Sequence, residues 1–175
     1  TSIYFSGPFA YEQQPKTSLR AMAQILQTRL RDIMREDLGG TYGVGVSTNY
    51  GWQPFEKYSL TIGYGSDPER AEELVNVVFA EIEKLKEAPP EESEVADVRE
   101  SLSRTLETSL ESNSYWMNQL SQYYRLGVSP AAMLQYPPSI DALTPKMIQD
   151  AAQLYLDTDN YLRMTLLPVE QYQEN

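Results

Sequence analysis

The sequence predicts an α+β fold: a mainly antiparallel sheet of about four strands with helices packed on one face. Two patterns predict it. Hydrophobic residues recur at helical spacing in some segments and alternate with polar or small residues in others. The helical segments also cluster late in the chain, which gives the order β-α-β-β-α-α-α-α-β. No linker is visible, so residues 1–175 are expected to form a single domain.

The first half of the chain predicts a strand, a helix and then two strands. The first strand covers residues 3–6, and the helix begins near Pro15 and ends at Gly39-Gly40. Residues 42–48 and 58–64 each alternate with period two, which predicts two antiparallel strands. The helix carries one apolar stripe, typical of a helix that covers a sheet or another helix. The stripe consists of Leu19, Met22, Ala23, Leu26, Leu30 and Ile33.

Two further helices are predicted between residues 66 and 126. Ser66 and Glu69 have the spacing of a capping box, so the first helix is expected to begin there and to end before Pro89-Pro90. The second is a long helix from about residue 91 to residue 126, with a bend expected in the polar run 109–114. Its inner face is expected to contain Val95, Val98, Leu102, Leu106, Leu110, Met117 and Leu120.

Proline motifs mark the last two helices. Ser129-Pro130 and Thr144-Pro145 each combine a favoured N-cap residue with proline at the first helical position. A final strand ends at Pro168. Its alternating apolar residues are Leu162, Met164 and Leu166.

The composition excludes several classes of function. The chain has 25 acidic and 14 basic residues, a net charge of -11, so we expect no nucleic-acid partner and no binding to an anionic membrane. It has no histidine and no cysteine, so the usual zinc ligands and the Ser-His-Asp and Cys-His arrangements are absent. We therefore expect no metal site and no catalytic residue in this chain, and no enzymatic activity from the chain alone.

The segment from Met34 to Val46 contains the candidate binding residues. Arg35 lies near the end of the predicted helix, and Tyr42 opens the next strand beyond the Gly39-Gly40 turn. A turn that brings the guanidinium and the phenol to one rim would form a clamp for a peptide carbonyl. The spacing alone leaves another interpretation open, in which Arg35 is a surface arginine at the helix C-terminus and Tyr42 is a half-buried strand aromatic.

Residues 30–42, Leu-Arg-Asp-Ile-Met-Arg-Glu-Asp-Leu-Gly-Gly-Thr-Tyr, resemble the Arg-Glu-x-x-Gly-x-x-Tyr region in the C-terminal half of pitrilysin/insulinase-type zinc metallopeptidases, the inverzincins. The order of elements and the closing stretch from Ile140 to Pro168 are similar as well. The resemblance implies paired halves, each made of two α+β domains. The N-terminal half binds zinc through His-x-x-Glu-His, and this chain would be the metal-free last domain, excised from a longer multi-domain peptidase.

The resemblance also implies a role for the candidate residues. Arg35 and Tyr42 would bind the peptide substrate near the scissile bond and so complete, in trans, the active site of a catalytic half on the same chain or on a separate subunit. Zinc is then implied in that partner domain, not in this chain. Two alternatives stay open: a catalytically inactive scaffold subunit of the same fold, and an unrelated module that binds peptides by strand addition. The sequence does not fix the compartment, and a periplasmic or secreted location is favoured over the cytoplasm.

Overall fold

The computed structural model describes residues 1–37 and 41–168; for residues 35–37, 41 and 42 it describes the backbone alone. The strands are β1 (Ser2–Pro8), β2 (Thr41–Gly51), β3 (Lys57–Ser66) and β4 (Leu162–Met164). The helices are α1 (Gln13–Arg31), α2 (Ala71–Glu87), α3 (Glu92–Leu110), α4 (Asn113–Leu126), α5 (Tyr136–Asp141) and α6 (Pro145–Tyr155). A π-helical segment (Asp32–Asp37) continues α1, and 3₁₀ turns cover Pro68–Arg70 and Pro130–Gln135.

The strands form a single antiparallel sheet in the order β2-β3-β1-β4. This confirms the predicted α+β class, the strand number and the antiparallel pairing of β2 with β3. Alternation along β1 and β3 sends Ile3, Phe5, Leu60 and Ile62 to one face, where each is fully buried against the helices. Helix α1 contacts β2 and α6, and α6 also contacts α2, so the helical layer covers this face.

The opposite face of the sheet is open and lined by small side chains. Gly43, Gly45 and Ser47 of β2 are exposed, and Gly63 of β3 lies directly opposite Gly45. A Cβ added at Gly43 or Gly45 would meet no other atom within 4 Å. The predicted alternation between a half-buried face and a bare face is therefore confirmed from Gly43 onward.

The predicted long helix is wrong as a single element. Helix α3 ends at Leu110, and Ser112 adopts an extended backbone (φ -94°, ψ 122°) before α4 begins. Serine competes with helical hydrogen bonds through its side chain, so the polar run breaks the helix rather than only bending it. On the predicted inner face, Val95, Val98 and Leu102 are buried. Leu110 at the end of α3 is exposed, as are Met117 and Leu120 on α4, which has no buried residue.

The helix-start predictions have mixed outcomes. The Ser129 and Thr144 hydroxyls accept hydrogen bonds from the backbone N–H groups of Ala131 and Met147, which confirms both N-caps. The capping box at Ser66 is wrong, because the turn begins after Asp67 and no side chain caps it. None of the helices within the described ranges combines the length and the apolar character needed to cross a membrane.

Candidate functional site

The backbone places the two predicted binding residues on neighbouring elements. Arg35 belongs to the π-helical segment after α1, and Tyr42 is the second residue of β2. This segment packs against β2, so the two positions lie at the same end of the α1–β2 pair. The side chains of both residues, and the Gly39-Gly40 turn, lie outside the described part of the chain. Their convergence on one point therefore stays a prediction.

Both positions lie in irregular backbone. Thr41 pairs with Ser66 and Val44 with Tyr64, so Tyr42 and Gly43 face a single residue of β3, which makes a β-bulge. A bulge re-aims a side chain and interrupts strand alternation, and bulges are frequent beside active sites. Short π-helical segments within helices are likewise frequent at functional sites. Strand alternation therefore does not assign Tyr42 to the buried face shared by Val44 and Val46.

Contacts from α1 and from the π-helical segment fix this end of α1 and β2 in place. Met34 is fully buried, and the Gln27 side-chain oxygen accepts a 2.8 Å hydrogen bond from the backbone N–H of Val46. The Arg29 guanidinium donates two 2.7 Å hydrogen bonds to the Glu94 carboxylate on α3. These hydrogen bonds raise the pKa of Arg29 and lower the pKa of Glu94. Burial opposes both shifts. The backbone that leads to Arg35 is thus tied to both the sheet and α3.

The neighbouring surface leaves room for an extended peptide. Gly43 and Gly45 on β2 and Gly63 and Gly65 on β3 lie on the open face beside the bulge. Small side chains let a second backbone approach closely, so a peptide chain could lie along this end of the sheet.

The acidic residues of the chain do not build a metal site in the part that the structure describes. No group of three or more carboxylates there has the geometry to hold a metal ion. The carboxylates of α2 and α3 form ion pairs instead: Glu81 with Lys84, Glu83 with Lys86, and Glu94 with Arg29.

Sequence reasoning missed a second feature, a cavity of about 400 Å³ between the start of α1, the end of β2 and α4. Lys16 and Arg20 line it from α1, one helical turn apart, together with Tyr50 and Trp52. The i, i+4 spacing of the two cations is visible in the sequence. The tyrosines that α4 contributes are far away along the chain, and no local pattern links them to this cavity.

Comparisons with known proteins agree with the fold. Residues 1–102 match the family model described as the peptidase M16 inactive domain. A curated protein from Arabidopsis thaliana, "Zinc protease PQQL-like", is 22% identical over 109 residues, which is 59% of this chain and 11% of that protein.

Solved structures share the fold. The periplasmic protease PqqL from Escherichia coli superposes with a TM-score of 0.75 at 21% identity, over 89% of this chain and 17% of that one. An inactive peptidase domain from Bordetella parapertussis gives a TM-score of 0.76 at 16% identity, over 99% of this chain and 92% of that one. The chain thus spans a small part of the two proteases and nearly all of the isolated domain.

Proposed function

Because this chain belongs to the peptidase M16 family as an inactive domain, we propose that it binds peptide substrate and completes the active site of a zinc metalloendopeptidase. The proposed residues are Arg35 and Tyr42, which act in trans on a peptide held by the catalytic half. One observation carries the proposal: the Arg-Glu-x-x-Gly-x-x-Tyr motif falls within the matched residues and spans the junction of α1 and β2.

The local backbone supports this role. A π-helical segment at Arg35 and a β-bulge at Tyr42 are irregularities of the kind that is frequent beside functional sites. They lie beside an open, glycine-lined sheet face with room for a peptide.

The chemistry follows from the two side chains. Arg35 stays charged at any physiological pH and can donate to a substrate carbonyl beside the cleaved bond. The Tyr42 hydroxyl can donate to the carbonyl oxygen on which negative charge develops during attack by water. A zinc ion in the catalytic half would supply the activation of that water. Because the donors come from a different domain, cleavage requires closure of the two halves.

An uncovered surface supports a partner domain. Helix α4 contains no buried residue, and Trp116, Met117, Leu120 and Tyr124 expose apolar area there, with Met117 69% exposed. Contiguous exposed apolar surface is typical of protein contacts. We therefore propose that the chain is one domain of a longer or assembled peptidase. Its compartment is proposed to be the periplasm or the exterior, as for the E. coli protease.

The test is steady-state peptide hydrolysis by the assembled peptidase. Arg35→Ala should mainly raise KM, because the guanidinium contacts the peptide in both the ground and the transition state. Arg104→Ala is the matched control, since the Arg104 side chain is 76% exposed on α3, outside both the motif and the α4 surface. A fall in kcat with KM unchanged would show that Arg35 is placed wrongly. Activity equal to the control would leave the chain as an inactive scaffold.

A further inference from the structure

The cavity at the start of α1 has the features of a binding site that the proposed function does not use. Its volume is about 400 Å³. At a rise of 1.5 Å per residue, Lys16 lies about 24 Å along α1 from Asp32, where the segment of Arg35 begins. Substitutions in the cavity therefore leave the motif at Arg35 and Tyr42 untouched.

Two cations without a carboxylate partner line the cavity. Most lysine and arginine side chains in the described residues form ion pairs with Asp or Glu. Within that part of the chain Lys16 and Arg20 form none: the Lys16 ammonium lies 3.2 Å from the centroid of the Tyr11 ring, and Arg20 donates to the Tyr136 hydroxyl at 3.1 Å. In a chain with a net charge of -11, two cations without an ion-pair partner on one cavity wall are available to a bound anion.

Burial makes the cavity receptive to an anion. Burial lowers the pKa of Lys16 to about 8, and the charge of nearby Glu56 partly offsets this shift. Burial also raises the pKa values of Tyr50, Tyr115 and Tyr123, so these hydroxyls keep their protons at neutral pH. A desolvated ammonium and protonated phenols are all hydrogen-bond donors that a bound anion would satisfy.

The remaining walls are aromatic and amide. Trp52 and Tyr11 meet edge to face at 5.2 Å between ring centroids, and Gln119 and Gln135 add groups that can pair with peptide N–H and C=O. One carboxylate, that of the exposed Glu12, also lines the cavity. With Glu12 in the lining and Glu56 near Lys16, the two cations leave little excess positive charge, which suits a singly charged anion with an apolar neighbour better than a multiply charged phosphate.

We propose that this cavity binds a peptide carboxylate between Lys16 and Arg20, with the adjacent apolar side chain of the peptide against Trp52 and Tyr50. The carboxylate can be the C-terminus of the peptide or an acidic side chain. Because the cavity is remote from the motif and its occupancy needs no cleavage, its failure would leave the proposed peptidase role standing.

The experiment is isothermal titration of the 175-residue chain with three N-acetylated tripeptides. The first ends in phenylalanine with a free carboxylate, the second has an internal glutamate and a C-terminal amide, and the third replaces that glutamate by glutamine. Binding of the first or the second about tenfold tighter than the third supports the proposal and identifies the source of the carboxylate. Equal binding of all three, or no binding, overturns it.

Variants locate the binding. Arg20→Gln should weaken the tighter peptide about tenfold, whereas Arg125→Gln, the same change outside the cavity, should leave its Kd unchanged. Glu12→Gln should tighten binding, because it removes the carboxylate that opposes the anion. Arg20 and Glu12 are both exposed, and unchanged circular dichroism would confirm that the variants fold. Equal Kd values for Arg20→Gln and Arg125→Gln would contradict the assignment.

Discussion

The Arg29–Glu94 pair links α1 to α3, and its contribution to stability can be worked out from its geometry. Both hydrogen bonds measure 2.7 Å, and the side chains are 22% and 30% exposed. Exposed pairs contribute about 0.2–1 kcal/mol, and breaking a fully buried pair costs about 3–5 kcal/mol. A bidentate, partly buried pair should therefore show a coupling free energy of about 1–2 kcal/mol, or about 3–6 °C in Tm for a domain of this size.

A double-mutant cycle measures this coupling. Arg29→Met keeps the aliphatic stem of the arginine, and Glu94→Gln keeps an acceptor for the 2.9 Å hydrogen bond from the Glu91 backbone. Free energies of unfolding from urea titrations of the two single variants, the double variant and the parent chain give the coupling term. A coupling below about 0.3 kcal/mol at low salt would refute the reasoning, since it would place the pair among ordinary surface contacts.

The pH dependence supplies a second check. The hydrogen bonds from Arg29 lower the pKa of Glu94 below its ordinary value of 4.5. A carboxylate whose pKa is depressed on folding stabilises the fold above its unfolded pKa, and this stability is lost as the pH falls through the folded pKa. The coupling should be constant from pH 7 to about pH 5 and should disappear under more acidic conditions. A coupling that persists in acid would show that it does not come from the ion pair.

Four further variants test the fold by urea titration. Leu102→Ala should lower the free energy of unfolding by about 2–5 kcal/mol because Leu102 is 1% exposed. Leu120→Ala on α4 should lower it by less than about 0.5 kcal/mol. Equal losses would contradict the division of the predicted long helix into a buried α3 and an exposed α4. Gly127→Ala should cost about 1 kcal/mol, since Gly127 ends α4 with φ +66°, and a neutral result would rule out that left-handed cap. Tyr58→Phe should cost about 1–2 kcal/mol, because its buried hydroxyl donates to the Tyr155 carbonyl at 2.9 Å, and no loss would mean that this bond is absent.

Local patterns in the sequence predicted most of the fold. The stripe that includes Leu19 and Leu26 and the alternation around Leu60 depend on short-range periodicity, and both appear in the structure as buried faces. The break at Ser112 was misjudged because the apolar spacing continues beyond it, while burial depends on which neighbours α4 meets. Leu110 and Met117 carry a helical pattern with no partner in the described part of this chain.

The candidate sites depend on tertiary register, which a sequence pattern does not contain. The motif placed Arg35 and Tyr42 at the ends of a helix and a strand, and the backbone has them there. The β-bulge at Tyr42 arises from how β2 pairs with β3, so strand alternation gave no sign of it. The cavity around Lys16 joins α1 to the end of β2 and to α4, far apart in sequence.

The most direct test of the central proposal is the single-turnover rate of peptide cleavage by the assembled peptidase carrying Tyr42→Phe. The enzyme is in excess at a concentration that binds all of the substrate, so the rate is separated from substrate binding and product release. Loss of one donor to the developing negative charge should slow this step by about 10- to 1000-fold, with substrate affinity nearly unchanged. Tyr161→Phe is the control, because Tyr161 is 44% exposed and directly precedes β4, at the opposite edge of the sheet from β2. A Tyr42→Phe rate equal to that of the control would contradict a catalytic contribution from this domain.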